Sequence, residues 1–410
     1  MTEKSDKLSQ NKTTVYMRLA KLCATTEPNL DDARLLPLPD ETLAYYIKKI
    51  IDKPEEVEVS WAKYAEKYHI ITQWYDARPR LSIVSGAPGT GKGRVLAVMA
   101  ASLQAEGYTV YYFGKTAAAQ AALERSLKGI EATRLVSPEN LDRAELAILV
   151  VDEYTQCEPQ HLANIATALE QNPHLIVVFA GDEQQFANPF MLGLDQVVPC
   201  YRLITAARQK GALLDAANFN REANIAAALA VYKTIDYDAA EVGFSAPLNY
   251  GHPPETMKAT ALKWFNDMLS DRHHDVFRTL FTEKNDPAAW LKIITDDAAM
   301  AESLNSDLIK AFREKFPYMP IDDKTRFIDT FEDSQGDTTV HALLLHTQPT
   351  LDARAFYVGM GRAKKCVIML TTAANEDEFL DRIKADDAFL KTGAALQLQS
   401  GQLRQPERGR

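Results

Sequence analysis

A glycine-rich loop with a single lysine is the first feature that could do chemistry. The residues GAPGTGKG occupy positions 86–93, directly after the apolar run LSIVS and directly before a run with helical spacing. Glycines let successive backbone N–H groups turn toward one anion, while Lys92 adds a positive charge and the helix start adds its dipole. The order of strand, loop and helix therefore predicts a nucleotide phosphate site. Its predicted contacts are Gly86, Ala87, Pro88, Gly89, Thr90, Gly91, Lys92, Gly93 and Arg94.

Two apolar runs downstream end in polar residues that fit phosphoryl transfer. LAILVVDE ends in Asp152 and Glu153, and LIVVFAGDEQQF carries Gln185. At the end of a buried strand, Asp152 is predicted to hold Mg²⁺ and Glu153 to orient or deprotonate the attacking water. Gln185 is predicted to sense the γ-phosphate. Gly93 stands where a serine or threonine hydroxyl usually reaches the metal, which leaves the rate of hydrolysis open.

The elements that must position these groups alternate between strand and helix. From residue 81, short apolar runs alternate with helical ones, which is typical of a parallel sheet covered by helices and predicts an α/β fold. The predicted organisation is a helical N-terminal region at 1–75, a first α/β domain at 76–205, a second at 206–395 with an insertion at about 233–321, and a polar tail at 396–410.

Composition and charge bound the class of protein. The chain has 410 residues, of which 46% are hydrophobic and 25% charged, so global disorder is excluded. A net charge of −10 argues against a histone-like coat for nucleic acid but allows a local basic groove. No apolar run approaches the roughly 18 residues of a membrane span, and the four cysteines lie too far apart for a local zinc finger. We therefore expect a cytoplasmic protein, in the host cytoplasm for a viral one, without a membrane span and monomeric by default.

Seven segments in order resemble the motifs of superfamily 1 helicases. They are GAPGTGKG (motif I), FGKTAAAQAAL at 113–123 (Ia), VVDE (II), GDEQQ (III), the run at 202–222 (IV), DTFEDSQGD at 329–337 (V) and FYVGMGRAKKCVIML at 356–370 (VI). The wording of motif V resembles positive-strand RNA virus helicases, whereas RQKGALLDAAN resembles the RecD-like group of DNA helicases. Motif VI carries Gly361 where threonine or serine usually precedes the arginine.

The resemblance implies two RecA-like P-loop domains in tandem, which close on ATP or another NTP with Mg²⁺ and move along single-stranded RNA or DNA. The implied catalytic residues are Lys92, Asp152, Glu153, Gln185, Arg208 and Arg362, with Asp152 as the metal ligand. Further nucleotide contacts are Gly336 and an adenine-reading Gln73. The implied nucleic-acid contacts are Lys115, Thr116, Thr330 and Ser334. Replication partners would bind through residues 1–75.

Two other functions stay open on the residues alone. Gly93 and Gly361 are compatible with a degenerate protein that binds nucleotide and strand but hydrolyses little. A motor or kinase with a phosphate loop is the second alternative, which the SQG and GRAKK segments disfavour. Trp264 and Trp290 could stack on bases or build a core.

Overall fold

The computed structural model describes residues 2–24, 57–135, 146–203, 211–270, 287–319, 321, 325–335, 339–387, 389–391 and 393. The chain divides into two compact units. Unit 1 is Met1–Glu183 with Ala187–Ala207, and unit 2 is Gln184–Phe186 with Arg208–Arg410.

The described part of unit 1 contains one six-stranded sheet whose neighbouring strands are all parallel, in the order β3-β2-β4-β5-β1-β6. Its strands are β1 Leu81–Gly86, β2 Thr109–Gly114, β3 Ala132–Arg134, β4 Ala147–Asp152, β5 Leu175–Gly181 and β6 Cys200–Leu203. Its helices are α1 Thr2–Ala24, α2 Val57–Ala77, α3 Lys92–Ala105, α4 Ala117–Ser126 and α5 Pro159–Gln171, with 3-10 turns at Tyr154–Gln156 and Leu194–Gln196. The parallel α/β fold predicted from the alternating runs is confirmed.

Both faces of this sheet are covered, which explains why its strands are almost continuously apolar. Ile83 of β1 packs in a cluster with Val15 of α1 and Leu162 of α5. Its neighbour Val84 points to the opposite face and packs with Trp74 of α2. The described helices of the predicted N-terminal region therefore contribute to the core of unit 1 rather than standing apart from it.

The described part of unit 2 contains a five-stranded parallel sheet in the order β7-β12-β10-β8-β9 and a two-stranded sheet of β11 and β13. Its strands are β7 Leu248–Asn249, β8 Leu291–Thr295, β9 Ile328–Thr330, β10 Thr339–His346, β11 Leu351–Asp352, β12 Ala363–Thr371 and β13 Ile383–Lys384. Its helices are α6 Gly211–Arg221, α7 Ile225–Tyr232, α8 Ala239–Val242, α9 Pro254–Met268, α10 Ala298–Lys315, α11 Ala353–Arg362 and α12 Glu376–Arg382, with a 3-10 turn at Pro287–Ala289.

Within the segment predicted as an insertion, at about 233–321, the described residues belong to the sheet of unit 2 and its core, since β7 pairs with β12 and α9 packs into the same cluster as β8. Strand β8 lies between β10 and β9, and α10 packs its apolar side into the same core. Trp264 and Trp290 are 2% and 3% exposed within that core, so they pack against the sheet and offer no face for a base to stack on.

Among the helices that the structure describes, none combines the length and the apolarity needed to cross a membrane. The polar tail at 396–410 lies outside the described residues.

Candidate nucleotide site

The loop between β1 and α3 has the backbone shape that the sequence predicts. Gly89 and Gly91 have φ of 82° and 92°, in the left-handed region where a side chain is strained. Gly91 caps α3 without a side-chain hydrogen bond, so the first N–H groups of the helix are left to other acceptors. A helix start of this kind is a ready anion site.

Lys92 holds its ammonium group inside the loop from which it extends. Its Nζ donates to Gly86 O at 2.7 Å and to Ala87 O at 3.4 Å. Thr90 closes the same turn, since its hydroxyl donates to Ala87 O at 2.8 Å. Arg94 is exposed on the first turn of α3. The loop therefore combines a buried cation with a backbone that is already turned.

Asp152 and Glu153 end β4, a strand of the same sheet as β1. Desolvation raises the pKa of Asp152 to about 7; the negative charge of Glu153 adds to the rise, and the positive charge of Lys92 opposes it. The charges of Lys92 and Glu153 therefore both act on Asp152, in opposite directions. A divalent cation beside Asp152 would favour its charged form.

Glu153 has an unusual backbone for a residue with a side chain. Its φ and ψ are 50° and 46°, in the left-handed region, which costs about 1–2 kcal/mol in a non-glycine residue. The residue is also buried. Such conformations persist where the surroundings hold them in place, and they cluster at functional sites.

Gly93 is explained by packing. A Cβ at this position would meet the side chain of Ser126 at the end of α4, with Ser126 Cβ at 3.2 Å and Oγ closer still. A side chain at position 93 would therefore require the Ser126 hydroxyl to turn away and its Cβ to move by a few tenths of an ångström. The sequence alone could not show this contact, because Ser126 is distant along the chain.

Lys67 of α2 is a residue that the sequence reasoning missed. It is 8% exposed, and its Cε lies 2.6 Å from the point where a Cβ on Gly91 would stand, with Nζ at 3.6 Å from that point. Gln73, the predicted adenine reader, is exposed on the same helix. Six residues turn a helix by about 240°, so Gln73 lies on a different face from Lys67.

The predicted nucleic-acid contacts of unit 1 already have partners. Lys115 Nζ is 2.8 Å from Glu158 Oε1, with side chains 36% and 55% exposed. Thr116 caps α4, since its Oγ1 accepts from Ala119 N at 3.1 Å. Lys115 is therefore reachable from solvent, whereas the Thr116 hydroxyl serves the helix.

The two predicted nucleic-acid contacts of unit 2, Thr330 and Ser334, differ in their exposure. Thr330 Oγ1 donates to Asp333 Oδ2 at 2.8 Å in the turn after β9 and stays partly exposed. Ser334 is fully buried, and its Oγ donates to Phe331 O at 2.9 Å. Ser334 therefore has no exposed atom for a strand, and its predicted role is corrected to a bond within the turn.

Arg362 and Gln185, both predicted to be catalytic, are brought together within unit 2. Arg362 Nη2 donates to Gln185 Oε1 at 3.1 Å, its Nη1 to Ser334 O at 3.1 Å and its Nε to Val358 O at 3.1 Å. Both residues are buried. The predicted Arg208 and Gly336 lie outside the described residues.

Comparison with known proteins adds a family match to part of the chain. Residues 65–234 match the family described as AAA domain, a stretch that includes the loop, Asp152 and Gln185. The match supports a P-loop NTPase domain in this part of the chain. No curated protein sequence matches.

Solved structures of three helicases are among those that match this chain at low identity. The PRRSV helicase is 12% identical, with 76% of this chain and 54% of that chain covered and a TM-score of 0.39. The Pif1 helicase from Candida albicans is 14% identical, with 77% and 98% covered and a TM-score of 0.42. Unliganded Pif1 from Bacteroides sp is 12% identical, with 81% and 96% covered and a TM-score of 0.47. The chain spans about half the length of the PRRSV helicase.

Proposed function

We propose that this chain is a nucleotide triphosphatase of the superfamily 1 helicase type, driven by ATP or another NTP and acting on single-stranded nucleic acid. The observation that carries the proposal is the turned glycine loop, which follows β1 and holds Lys92, together with Asp152 and Glu153, which end β4 of the same parallel sheet. The ordered motifs of the sequence supply the helicase class, and the AAA domain match supports the nucleotide chemistry.

In this proposal the chain's own groups divide the work. The loop N–H groups and Lys92 bind the phosphates, and Glu153 holds the attacking water or takes its proton. Gln185 and Arg362 act on the γ-phosphate side of the reaction. Lys115 and Thr330 contact the phosphates of the strand, which gives affinity without sequence preference.

The residues present fit a magnesium ion. In the part of the chain that the structure describes, no three His, Cys, Asp or Glu side chains gather as a metal cage. Magnesium in nucleotide sites usually has one or two carboxylates and takes its other ligands from phosphates and water, so Asp152 meets the need. When bound, the ion neutralises charge that develops on the phosphates.

A degenerate binding module is the second candidate, and Gly93 is the observation that favours it. The position next to Lys92 has no hydroxyl for a metal, as expected of a site that binds nucleotide without turning it over. The packing of Ser126 supplies another reason for the glycine, so the active enzyme remains our conclusion.

Phosphate release from ATP by the full chain tests the proposal, with Lys92→Ala as the comparison. We expect wild-type turnover that depends on Mg²⁺, and a loss of about 10²–10³-fold in the variant, the scale of removing one preorganised donor. Equal turnover in both proteins would mean that the loop is not the site. Tight nucleotide binding without turnover would favour the binding module.

A further inference from the structure

A buried carboxylate joins the two segments of unit 1 that carry the candidate chemistry. Glu183, in the GDEQQ segment after β5, accepts a hydrogen bond from Ser85 Oγ at 2.8 Å and another from Tyr154 OH at 2.6 Å. Ser85 precedes the glycine loop, and Tyr154 directly follows Glu153. All three side chains are buried. The Glu183 carboxylate therefore bonds to β1, the strand before the glycine loop, and to the turn that follows Glu153.

An arginine lies near this carboxylate. Arg202 Nη1 lies 3.9 Å from Glu183 Oε2, and the same arginine pairs with Asp195. The tyrosine hydroxyl is the donor and the Glu183 carboxylate the acceptor of the bond between them. Hydrogen bonds to a charged acceptor are stronger than neutral ones.

Tyr154 is also fixed through its ring. A Cβ added to Gly181 would stand 2.8 Å from Tyr154 Cδ1, so the glycine is required for the ring to approach β5 this closely. The ring also packs against Phe179, with 5.4 Å between the ring centroids. Tyr154 is thus held by β5 at its ring and by Glu183 at its hydroxyl. The next residue back is Glu153, whose left-handed backbone needs such support.

We propose that Ser85, Tyr154 and Glu183 are positioning residues that hold the glycine loop and Glu153 in the arrangement required for hydrolysis. They act through Glu153 and the loop and touch no reacting atom. The inference rests on the proposed function, because it assigns a role in the same reaction. A network that only stabilised the core would change the free energy of unfolding and leave kcat unchanged.

Tyr154→Phe tests the inference in the full chain, since it removes one hydroxyl and keeps the ring. We expect kcat at saturating ATP to fall about tenfold, the scale of one buried hydrogen bond, with KM within about twofold. The amides of Gln156 and Cys157 bond to Glu153 O and Tyr154 O, so they report on this turn. Their hydrogen exchange should quicken in the variant, whether or not the protein turns over nucleotide.

Tyr232→Phe is the matched control, because Tyr232 is a fully buried tyrosine of unit 2 whose hydroxyl donates to Pro247 O and Val367 O at 2.9 Å each. It should lower Tm and leave kcat unchanged. Ser85→Ala should lower kcat by less than Tyr154→Phe does, and Glu183→Ala should lower it by more. Ser85→Ala also decides the question if the tyrosine variant does not fold.

A failure of the proposed function and a failure of the positioning role give different results. A wild type without turnover contradicts the proposed function, and the exchange of Gln156 and Cys157 then still decides whether the network holds the turn. Turnover in Tyr154→Phe at the wild-type kcat overturns the positioning role. A lower kcat with unchanged exchange of the turn overturns it as well, since the loss would then have another cause.

Discussion

Lys92 of unit 1 and Arg362 of unit 2 are both buried cations, but their hydrogen bonds differ. Lys92 donates to Gly86 O and Ala87 O in its own loop, where a phosphate oxygen can take the place of a carbonyl. Arg362 uses three different nitrogens on Val358 O, Ser334 O and Gln185 Oε1. To serve a ligand, Lys92 exchanges one acceptor for another, whereas Arg362 must give up bonds that hold its own unit together. We therefore expect Lys92 to govern binding and Arg362 to govern a later step.

The largest expected effect comes from Arg362→Ala. An arginine that stabilises transferred phosphate is worth about 10³–10⁵-fold in turnover, so kcat should fall by at least about 10³-fold while nucleotide Kd changes by only a few fold. Single-turnover hydrolysis and a fluorescent nucleotide measure the two separately.

Arg354→Ala is the control for that variant. Arg354 is a buried arginine of the same helix, bonded to both carboxylate oxygens of Asp386 at 2.7 and 2.9 Å. Its loss should lower Tm without the kcat effect. If the two variants lose kcat equally, or if Arg362→Ala loses affinity with kcat intact, the contrast between Lys92 and Arg362 is wrong.

Gly93 gives the next largest effect, on stability. Gly93→Ala should lower the free energy of unfolding by about 1–3 kcal/mol, because its Cβ overpacks Ser126. In a Ser126→Gly background the same change should instead stabilise by about 0.5–1 kcal/mol, since alanine is the better helix residue. Denaturant unfolding of the four proteins gives the coupling. The same sign in both backgrounds would remove the packing explanation of this glycine.

Lys67→Met should weaken nucleotide binding by about fivefold, because a charge interaction of about 1 kcal/mol is lost at the back of the loop. The variant keeps an unbranched chain beside Gly91. Lys21→Met, an exposed lysine on α1, is the control and should leave Kd unchanged. Titration with a fluorescent nucleotide measures both, and an unaltered Kd in Lys67→Met would limit Lys67 to packing.

The smallest expected effects are on the affinity for single-stranded nucleic acid. Lys115→Ala should weaken single-strand binding a few fold and reduce the salt slope by about one. Glu158→Gln should do the opposite, since it removes the carboxylate that pairs with Lys115. Glu170→Gln, which breaks the comparable pair with Arg18 at 2.7 Å, should change nothing. Strand titrations at several salt concentrations compare the three, and equal shifts in Glu158→Gln and Glu170→Gln would contradict the role of Lys115.

The parts of the site that could be predicted from the sequence are those set by neighbours along the chain. The turn at Gly89 and Gly91 needs positive φ, and only glycine suits it, so the loop shape follows from the residue types. The carboxylates of Asp152 and Glu153 follow an apolar strand, which places them at the end of the sheet. Both features need only the local order of strand, loop and helix.

Distant contacts decide what could not be predicted. Strand β8 is five residues long, and LKIIT with its flanks reads equally well as part of an insertion. Nothing in the pattern around Ser334 shows that its hydroxyl is buried, or that Glu183 accepts from Tyr154. From the sequence alone, Gly93 suggests a metal site that lacks its usual hydroxyl ligand. The contact with Ser126 is visible only in the structure.

The ratio of ATP turnover with single-stranded nucleic acid to turnover without it tests the central claim most directly. RNA and DNA of equal length are added separately to the full chain at low salt, where strand binding is strongest. The account predicts that at least one of them raises the wild-type rate, while the rate of Lys92→Ala stays about 10²–10³-fold below that of the wild type. A wild-type rate that is the same with RNA, with DNA and with neither would contradict a helicase-type enzyme.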